Sequence, residues 1–139
     1  SGRIKHFISA FGEHVISKEV EHALLSALNG TDISVSEFTV APQIEPSNGL
    51  PYHEWFIEFE ISPPDITDFA SKIDAAMQLQ NSYYRDLIQG KVLQPLVVTS
   101  VSKAGFQNYM KTIGKLGGQN KTPRLSNDRK IADALTNMI

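Results

Sequence analysis

The chain has 139 residues, 41% of them hydrophobic, and a net charge of −2, so it is long and apolar enough for one domain with a buried core. It has no cysteine, which excludes disulfides, thiolate catalysis and cysteine-ligated zinc and favours a reducing compartment; we expect a cytoplasmic protein. No apolar run reaches the roughly 18 residues that span a bilayer, so we expect no membrane partner.

The first thirty residues predict a short hairpin followed by a helix. Apolar residues on both sides of Gly12 are arranged as in two short paired strands. Ser17 has the side chain of a helix N-cap, and apolar residues then recur at helical spacing as far as Gly30, which favours a helix end. We therefore expect a helix between Ser17 and Gly30.

Two strands are predicted next, over residues 33–44 and 52–61, and the turn residues at 46–49 favour an antiparallel pair. The second strand alternates apolar residues with glutamates, namely Trp55, Ile57, Phe59 and Ile61 against Glu54, Glu58 and Glu60. We expect the apolar face to be buried and the glutamate face to be solvated.

The second half of the chain is predicted to be mostly helical. One long helix is expected over residues 65–90, a strand over 96–101, a short amphipathic helix over 106–113 and a last helix over 128–138. This order of elements favours an α+β fold in which a small, mostly antiparallel sheet is packed with helices, forming one domain over residues 1–139.

The basic residues are concentrated near the end of the chain. Residues 103–130 contain seven of them against a single acid, and such a region attracts anions. Within it, two glycines and Pro123 predict an ordered loop with Lys121 at its centre and Arg124 beside it. Lysine offers a compact charge and arginine a planar two-donor fork, so phosphate is the first ligand to consider. From the residues alone, an ordinary surface lysine is an equal alternative.

Arg3 and Lys5 flank Ile4 near the start of the chain, where they would clamp a sugar or phosphate if they point to one side of a strand. An ordinary polar strand face is an equal alternative. The four histidines show no metal-binding spacing, and no phosphate-binding glycine motif or nucleophile elbow occurs. The residues alone therefore predict neither a metal site nor a complete active site.

Four blocks of the sequence resemble one known family. They are GRIKHFI-AFGE at residues 2–13, FTVAP at 38–42, HEWFIEF at 53–59 and GGQNK-PR at 117–124. In this order they resemble the carboxy-terminal domain of bacterial members of the auxin-responsive Gretchen Hagen family. Its members are acyl-acid amido synthetases of the adenylate-forming superfamily, and the resemblance covers essentially the whole chain.

The resemblance implies a ligase that uses ATP with Mg²⁺. A larger amino-terminal domain of the same polypeptide, expected to lie outside this chain, would join a carboxylic acid to AMP and release pyrophosphate. An amine, usually that of an amino acid, would then form an amide. The carboxy-terminal domain would be a mobile lid that binds no cofactor and is inactive by itself.

The resemblance also implies roles for individual residues. Lys5 matches the hinge, Arg3 the arginine that approaches the nucleotide ribose, and Lys121 the lysine that reaches the α-phosphate and the acyl carboxylate. Arg124, next to Lys121 in the same block, is expected to bind the nucleotide as well.

Two other classes of function stay open. A nucleic-acid-binding module would use the basic residues 103–130, but Phe106 and Tyr109 are the only aromatic residues there and are predicted to face the core, so we expect no nucleic acid partner. A small-ligand or regulatory interaction domain agrees with the order of elements but lacks a pocket signature.

Overall fold

The computed structural model describes residues 7–113 and 122–139. The described elements are, in chain order, β1 (Phe7–Ile8), β2 (Val15–Ile16), α1 (Ser17–Leu28), β3 (Ser34–Gln43), β4 (Tyr52–Ile61), α2 (Ile66–Gln80), α3 (Ser82–Gln89), β5 (Val97–Val101), α4 (Gly105–Thr112) and α5 (Lys130–Thr136). The predicted α+β class is confirmed, with strands and helices close to the expected positions. Across these two ranges, no helix is long and apolar enough to cross a membrane.

The main sheet has three strands in the order β3-β4-β5. The predicted hairpin of β3 and β4 is antiparallel as expected, whereas β5 runs parallel to β4. Parallel neighbours need a long crossover, and α2 and α3 provide it between β4 and β5. The strands β1 and β2 form a separate antiparallel pair, which confirms the predicted first hairpin.

Helices cover both faces of the main sheet. On one face, α1, α2 and α3 pack against Phe38, Val40, Trp55 and Ile57. On the other, α4 and α5 pack against Ala41, Phe56 and Val101. Strand β4 is therefore buried on both sides, as its continuous apolar run from Trp55 to Ile57 allows.

The prediction that the glutamate face of β4 is solvated is wrong for two of its three glutamates. Glu54 accepts a hydrogen bond from Thr99 Oγ1 at 2.5 Å, and Glu58 accepts one from the backbone N–H of Phe106 at 3.1 Å. The reason is that α4 and α5 cover this face around the fully buried Phe56. Only Glu60 is exposed as expected.

The single helix predicted over residues 65–90 is also wrong, because it is interrupted at Asn81. The backbone there is extended, at φ −132° and ψ 104°, and the Asn81 side chain begins α3 by accepting a hydrogen bond from Tyr84 N at 2.9 Å. Asp65 caps α2 as predicted, accepting from Asp68 N at 3.2 Å.

The start of α1 differs from the prediction in its cap. Ser17 is the first helical residue, and the N-cap position belongs to Ile16. The backbone N–H of Ile16 donates to the Glu19 carboxylate at 3.1 Å, so an acidic side chain in the first turn replaces the expected serine cap. Gly30 has φ +76°, which confirms the expected turn after the helix.

Candidate functional site: the edge segment after Lys121

Residues 122–126, which we call the edge segment, lie along the outer edge of β3. Val40 N donates to the carbonyl of Arg124 at 2.9 Å, and Ser126 N donates to the carbonyl of Val40 at 2.9 Å. These two bonds form a parallel bridge between Val40 and Leu125, whose side chain is fully buried. Part of the predicted loop is therefore an extension of the sheet.

Side chains add two further attachments at the start of the edge segment. Thr39 Oγ1 donates to the carbonyl of Pro123 at 2.6 Å. Thr122 is buried, and its hydroxyl contacts Met110 Sδ of α4 at 3.6 Å. The chain is thus held from Thr122 onwards, at the residue that directly follows Lys121.

Arg124 joins the edge segment to two further elements. Its Nη1 forms an ion pair with Glu37 Oε1 of β3, and its Nε lies 3.4 Å from Glu21 Oε2 of α1. The guanidinium also lies over the Phe38 ring, 4.8 Å from the centroid. The positive charge of Arg124 is therefore offset by two carboxylates that are distant in sequence.

Three of the predicted site residues, Arg3, Lys5 and Lys121, lie outside the described residues. Their roles stay predictions. The nucleotide-binding role of Arg124 is also untested, but the structure shows its guanidinium in contact with protein carboxylates.

Arg129, the other arginine near the end of the chain, is paired as well. Its Nη1 lies 2.8 Å from Glu54 Oε1, and its Nε lies 3.5 Å from Asp133 Oδ1. The guanidinium also lies over Phe56, 5.7 Å from the ring centroid. These partners were not predicted, because Glu54 is 75 residues away and was assigned to solvent.

The pairing of both arginines weakens the nucleic-acid alternative. Arg124 and Arg129 supply two of the seven basic residues counted above, and each is engaged by carboxylates. Phe106 and Tyr109 are buried, as expected, so neither offers a ring for stacking with bases.

A buried contact between a histidine and a carboxylate attaches the first hairpin to the sheet. His53 Nε2 of β4 lies 2.7 Å from Glu13 Oε2, and Phe11 N donates to Glu13 Oε1 at 2.7 Å. Burial acts to raise the pKa of Glu13, but the interaction with His53 and the hydrogen bonds from the backbone together outweigh it, so the pKa is lowered. A second contact joins the hairpin to the end of the chain, since Ser9 N donates to Asn127 Oδ1 at 3.1 Å.

The His53 ring also packs against Tyr84, with 5.2 Å between the ring centroids. Tyr84 Oη donates to Asp74 Oδ1 at 2.5 Å, and Leu96 N donates to the same oxygen at 3.1 Å. Burial and the nearby Asp74 carboxylate raise the pKa of Tyr84 well above its usual value. These polar groups are buried but satisfied, which is typical of a structural network.

A cavity of about 280 Å³ lies at the opposite end of the β3–β4 hairpin from its turn. Its lining includes the carboxylates of Asp32, Asp65 and Asp68, and one lysine, Lys72, which pairs with Asp68 at 3.5 Å. An acidic lining disfavours a phosphate or carboxylate ligand. Across residues 7–113 and 122–139, no three His, Asp or Glu side chains are grouped to hold a metal ion.

The protein is therefore of the α+β class. The outer edge of its main sheet binds the segment that directly follows Lys121. The profile of the GH3 family C-terminal domain matches residues 17–130. The chain therefore belongs to the GH3 family and comprises its C-terminal domain, as the sequence resemblance implied. The match includes Lys121 and Arg124 and begins after Arg3 and Lys5.

Solved structures of longer chains share this fold. A GH3.15 acyl acid amido synthetase is 17% identical with a TM-score of 0.71, over 90% of this chain and 25% of that chain. AtGH3.15 acyl acid amido synthetase in complex with 2,4-DB is 18% identical with a TM-score of 0.75, over 95% of this chain and 25% of that chain. The chain thus spans a quarter of the length of these synthetases. No curated protein sequence gives a significant match.

Proposed function

We propose that the chain is the mobile C-terminal domain of an ATP-dependent acyl acid amido synthetase. The observation that carries this proposal is the GH3 family match over residues 17–130, which contains Lys121 and the edge segment. The similar solved structures support it, because both are named as acyl acid amido synthetases.

The proposed reaction has two steps. A carboxylate oxygen attacks the α-phosphorus of ATP, the bond to the leaving pyrophosphate breaks, and an acyl-adenylate forms. The nitrogen of an amine, such as that of an amino acid, then attacks the acyl carbon; AMP leaves, and the nitrogen loses a proton to give the amide. Mg²⁺ enters with ATP as part of the substrate, and the amino-terminal domain of the same polypeptide supplies the acyl and adenine pockets.

Lys121 is the proposed catalytic residue of the first step. Negative charge builds at the α-phosphorus in the transition state, and a lysine that meets it there lowers the barrier more than it strengthens substrate binding. The edge segment supports this role, because an anchored residue directly after Lys121 limits where the lysine can lie.

Two further predicted site residues, Lys5 and Arg3, are proposed to act through domain movement and nucleotide contact. Lys5 is the proposed hinge, about which the domain rotates after adenylation, so that Lys121 is withdrawn and the amine can enter. Arg3, two residues before the hinge, is proposed to approach the ribose. Because these residues act on a site in the other domain, the 139-residue chain is expected to be inactive by itself.

The test is acid-dependent exchange of pyrophosphate into ATP, measured with the intact protein over a panel of carboxylic acids. Exchange that depends on one class of acid is the expected result and identifies the acyl substrate. The 139-residue chain alone serves as the control and should give no exchange. ATP binding by the intact protein without exchange on any acid would contradict the ligase proposal.

A further inference from the structure

The contacts of Arg124 point to a role other than nucleotide binding. We infer that Arg124 is a positioning residue that fixes the edge segment, and through it Lys121, by its ion pair with Glu37. The inference rests on the proposed function for Lys121. It replaces the predicted contact of Arg124 with the nucleotide by contacts with carboxylates of the protein.

The guanidinium of Arg124 is already engaged from three sides. Glu37 contacts Nη1, Glu21 approaches Nε at 3.4 Å, and the buried Phe38 ring lies against the guanidinium plane at 4.8 Å. A fork held by two carboxylates has fewer donors and less net charge to offer a phosphate. A nucleotide phosphate would therefore have to compete with these partners for Arg124.

Arg124 is attached to β3 through its backbone as well as its side chain. Its carbonyl accepts the hydrogen bond from Val40 N at 2.9 Å. Glu37 lies on the same strand directly after a shift in the β3–β4 register between Val35 and Glu37, and such an irregularity typically changes the direction of a neighbouring side chain. The backbone hydrogen bond and the side-chain ion pair thus attach Arg124 to β3 at two points, which restricts its movement relative to the strand.

Glu37 is the stronger of the two carboxylate partners. Its side chain is 24% exposed, whereas that of Glu21 is 51% exposed and lies farther from the guanidinium. Water screens an exposed pair more than a half-buried one. Loss of Glu37 should therefore disturb the edge segment more than loss of Glu21.

The first arm of the test compares four variants of the intact protein in acid-dependent pyrophosphate exchange. Arg124→Met and Glu37→Gln should lower kcat, by up to about 10²-fold for a displacement near 1 Å, with KM for ATP retained. Glu21→Gln should have a smaller effect. Lys130→Gln, which removes a charge from an exposed residue of the same basic region, is the matched control and should behave as the parent.

Exchanging the charges of Arg124 and Glu37 distinguishes a positioning role of Arg124 from a role in nucleotide binding. Arg124→Glu combined with Glu37→Arg restores the ion pair with its charges reversed, and it is made in a Glu21→Gln background to remove the second carboxylate. Partial recovery of kcat relative to either single reversal supports positioning. If Arg124→Met instead raises KM for ATP while Glu37→Gln is harmless, Arg124 is a nucleotide ligand and the inference is overturned.

The second arm does not depend on activity. Deuterium uptake by peptides from residues 122–129 should rise in Arg124→Met and in Glu37→Gln but not in Lys130→Gln, because the bonds between the edge segment and Val40 would open more often. Unchanged uptake in both variants overturns the inference. If the parent shows no exchange with any acid, the proposed function fails, and this arm still decides whether the pair fixes the segment.

Discussion

At the residue scale, the fold depends on buried polar groups whose partners are far away in sequence. Glu13 and His53 are 40 residues apart and meet in the interior at 2.7 Å. Removing one member of such a pair leaves the other buried without its partner, which is costly. The pair therefore holds the first hairpin, the part of the chain that follows the proposed hinge, on the main sheet.

The lowered pKa of Glu13 predicts a pH dependence of stability. A carboxyl whose pKa is lower in the folded state than its usual value of 4.5 stabilises the fold above that pH and loses this contribution as the pH falls through its folded pKa. Glu13→Gln should therefore reduce the free energy of unfolding at neutral pH, and the difference from the parent should shrink at acid pH.

Chemical denaturation of both proteins between about pH 3 and pH 7 measures this difference. Glu45→Gln, at an exposed glutamate, is the control and should follow the parent at every pH. A constant difference between Glu13→Gln and the parent over the whole range would contradict the assignment.

Local backbone preferences could be predicted from the sequence, whereas contacts between distant side chains could not. Pro123 correctly indicated an ordered chain around Arg124, because local backbone preferences can be read directly, whereas the two glycines of the predicted loop lie outside the described residues. The ion pairs of Arg124 and Arg129 could not be predicted, since they depend on which strand faces the edge segment and on how α5 lies over β4.

At the element scale, apolar periodicity predicted the positions of most strands and helices. It predicted neither the burial of β4 on both faces nor the break between α2 and α3. The run from Trp55 to Ile57 was assigned to a strand with one buried face, although three consecutive apolar residues in a strand also fit burial on both faces. The break at Asn81 was missed because apolar spacing continues through it. Asparagine as an N-cap was the available signal.

Asn81 is predicted to matter more than an ordinary helix cap. Besides beginning α3, its Nδ2 donates to the Glu13 carbonyl at 3.0 Å and to the Glu19 carboxylate at 3.1 Å. Asn81→Ala removes the cap and leaves one buried and one half-buried acceptor with fewer donors, so the expected loss of stability is about 2 kcal/mol or more.

Thermal or chemical unfolding measures that loss, with Asp65→Ala as the matched control. Asp65 caps α2 through one exposed bond to Asp68 N, so its removal should cost about 1 kcal/mol. Equal losses in the two variants would show that the contacts of Asn81 with the hairpin contribute nothing.

At the scale of the whole molecule, both the hairpin and the edge segment are attached to one sheet. His53 binds the hairpin through Glu13, and Thr39 and Val40 of β3 bind the edge segment. A rotation about the proposed hinge at Lys5 would therefore move the hairpin and the edge segment together with the sheet, as the proposed lid requires.

The hinge prediction can be tested with Lys5→Pro in the intact protein. Proline fixes φ near −65°, so a hinge at this position would be restricted to one of its conformations. One half-reaction should be slowed while the other is retained, as measured by pyrophosphate exchange and by amide formation from a supplied acyl-adenylate. Lys5→Ala is the control for loss of the side chain, and normal rates for both steps in Lys5→Pro would argue against a hinge there.

The central claim is that Lys121 acts on the adenylation transition state. The direct measurement is acid-dependent pyrophosphate exchange by the intact Lys121→Ala variant, beside its affinity for ATP and beside Lys130→Gln as a charge-matched control. Exchange should fall by about 10² to 10³-fold while ATP affinity is nearly retained. An equal loss of exchange and ATP affinity, or undiminished exchange, would contradict the proposed role of Lys121.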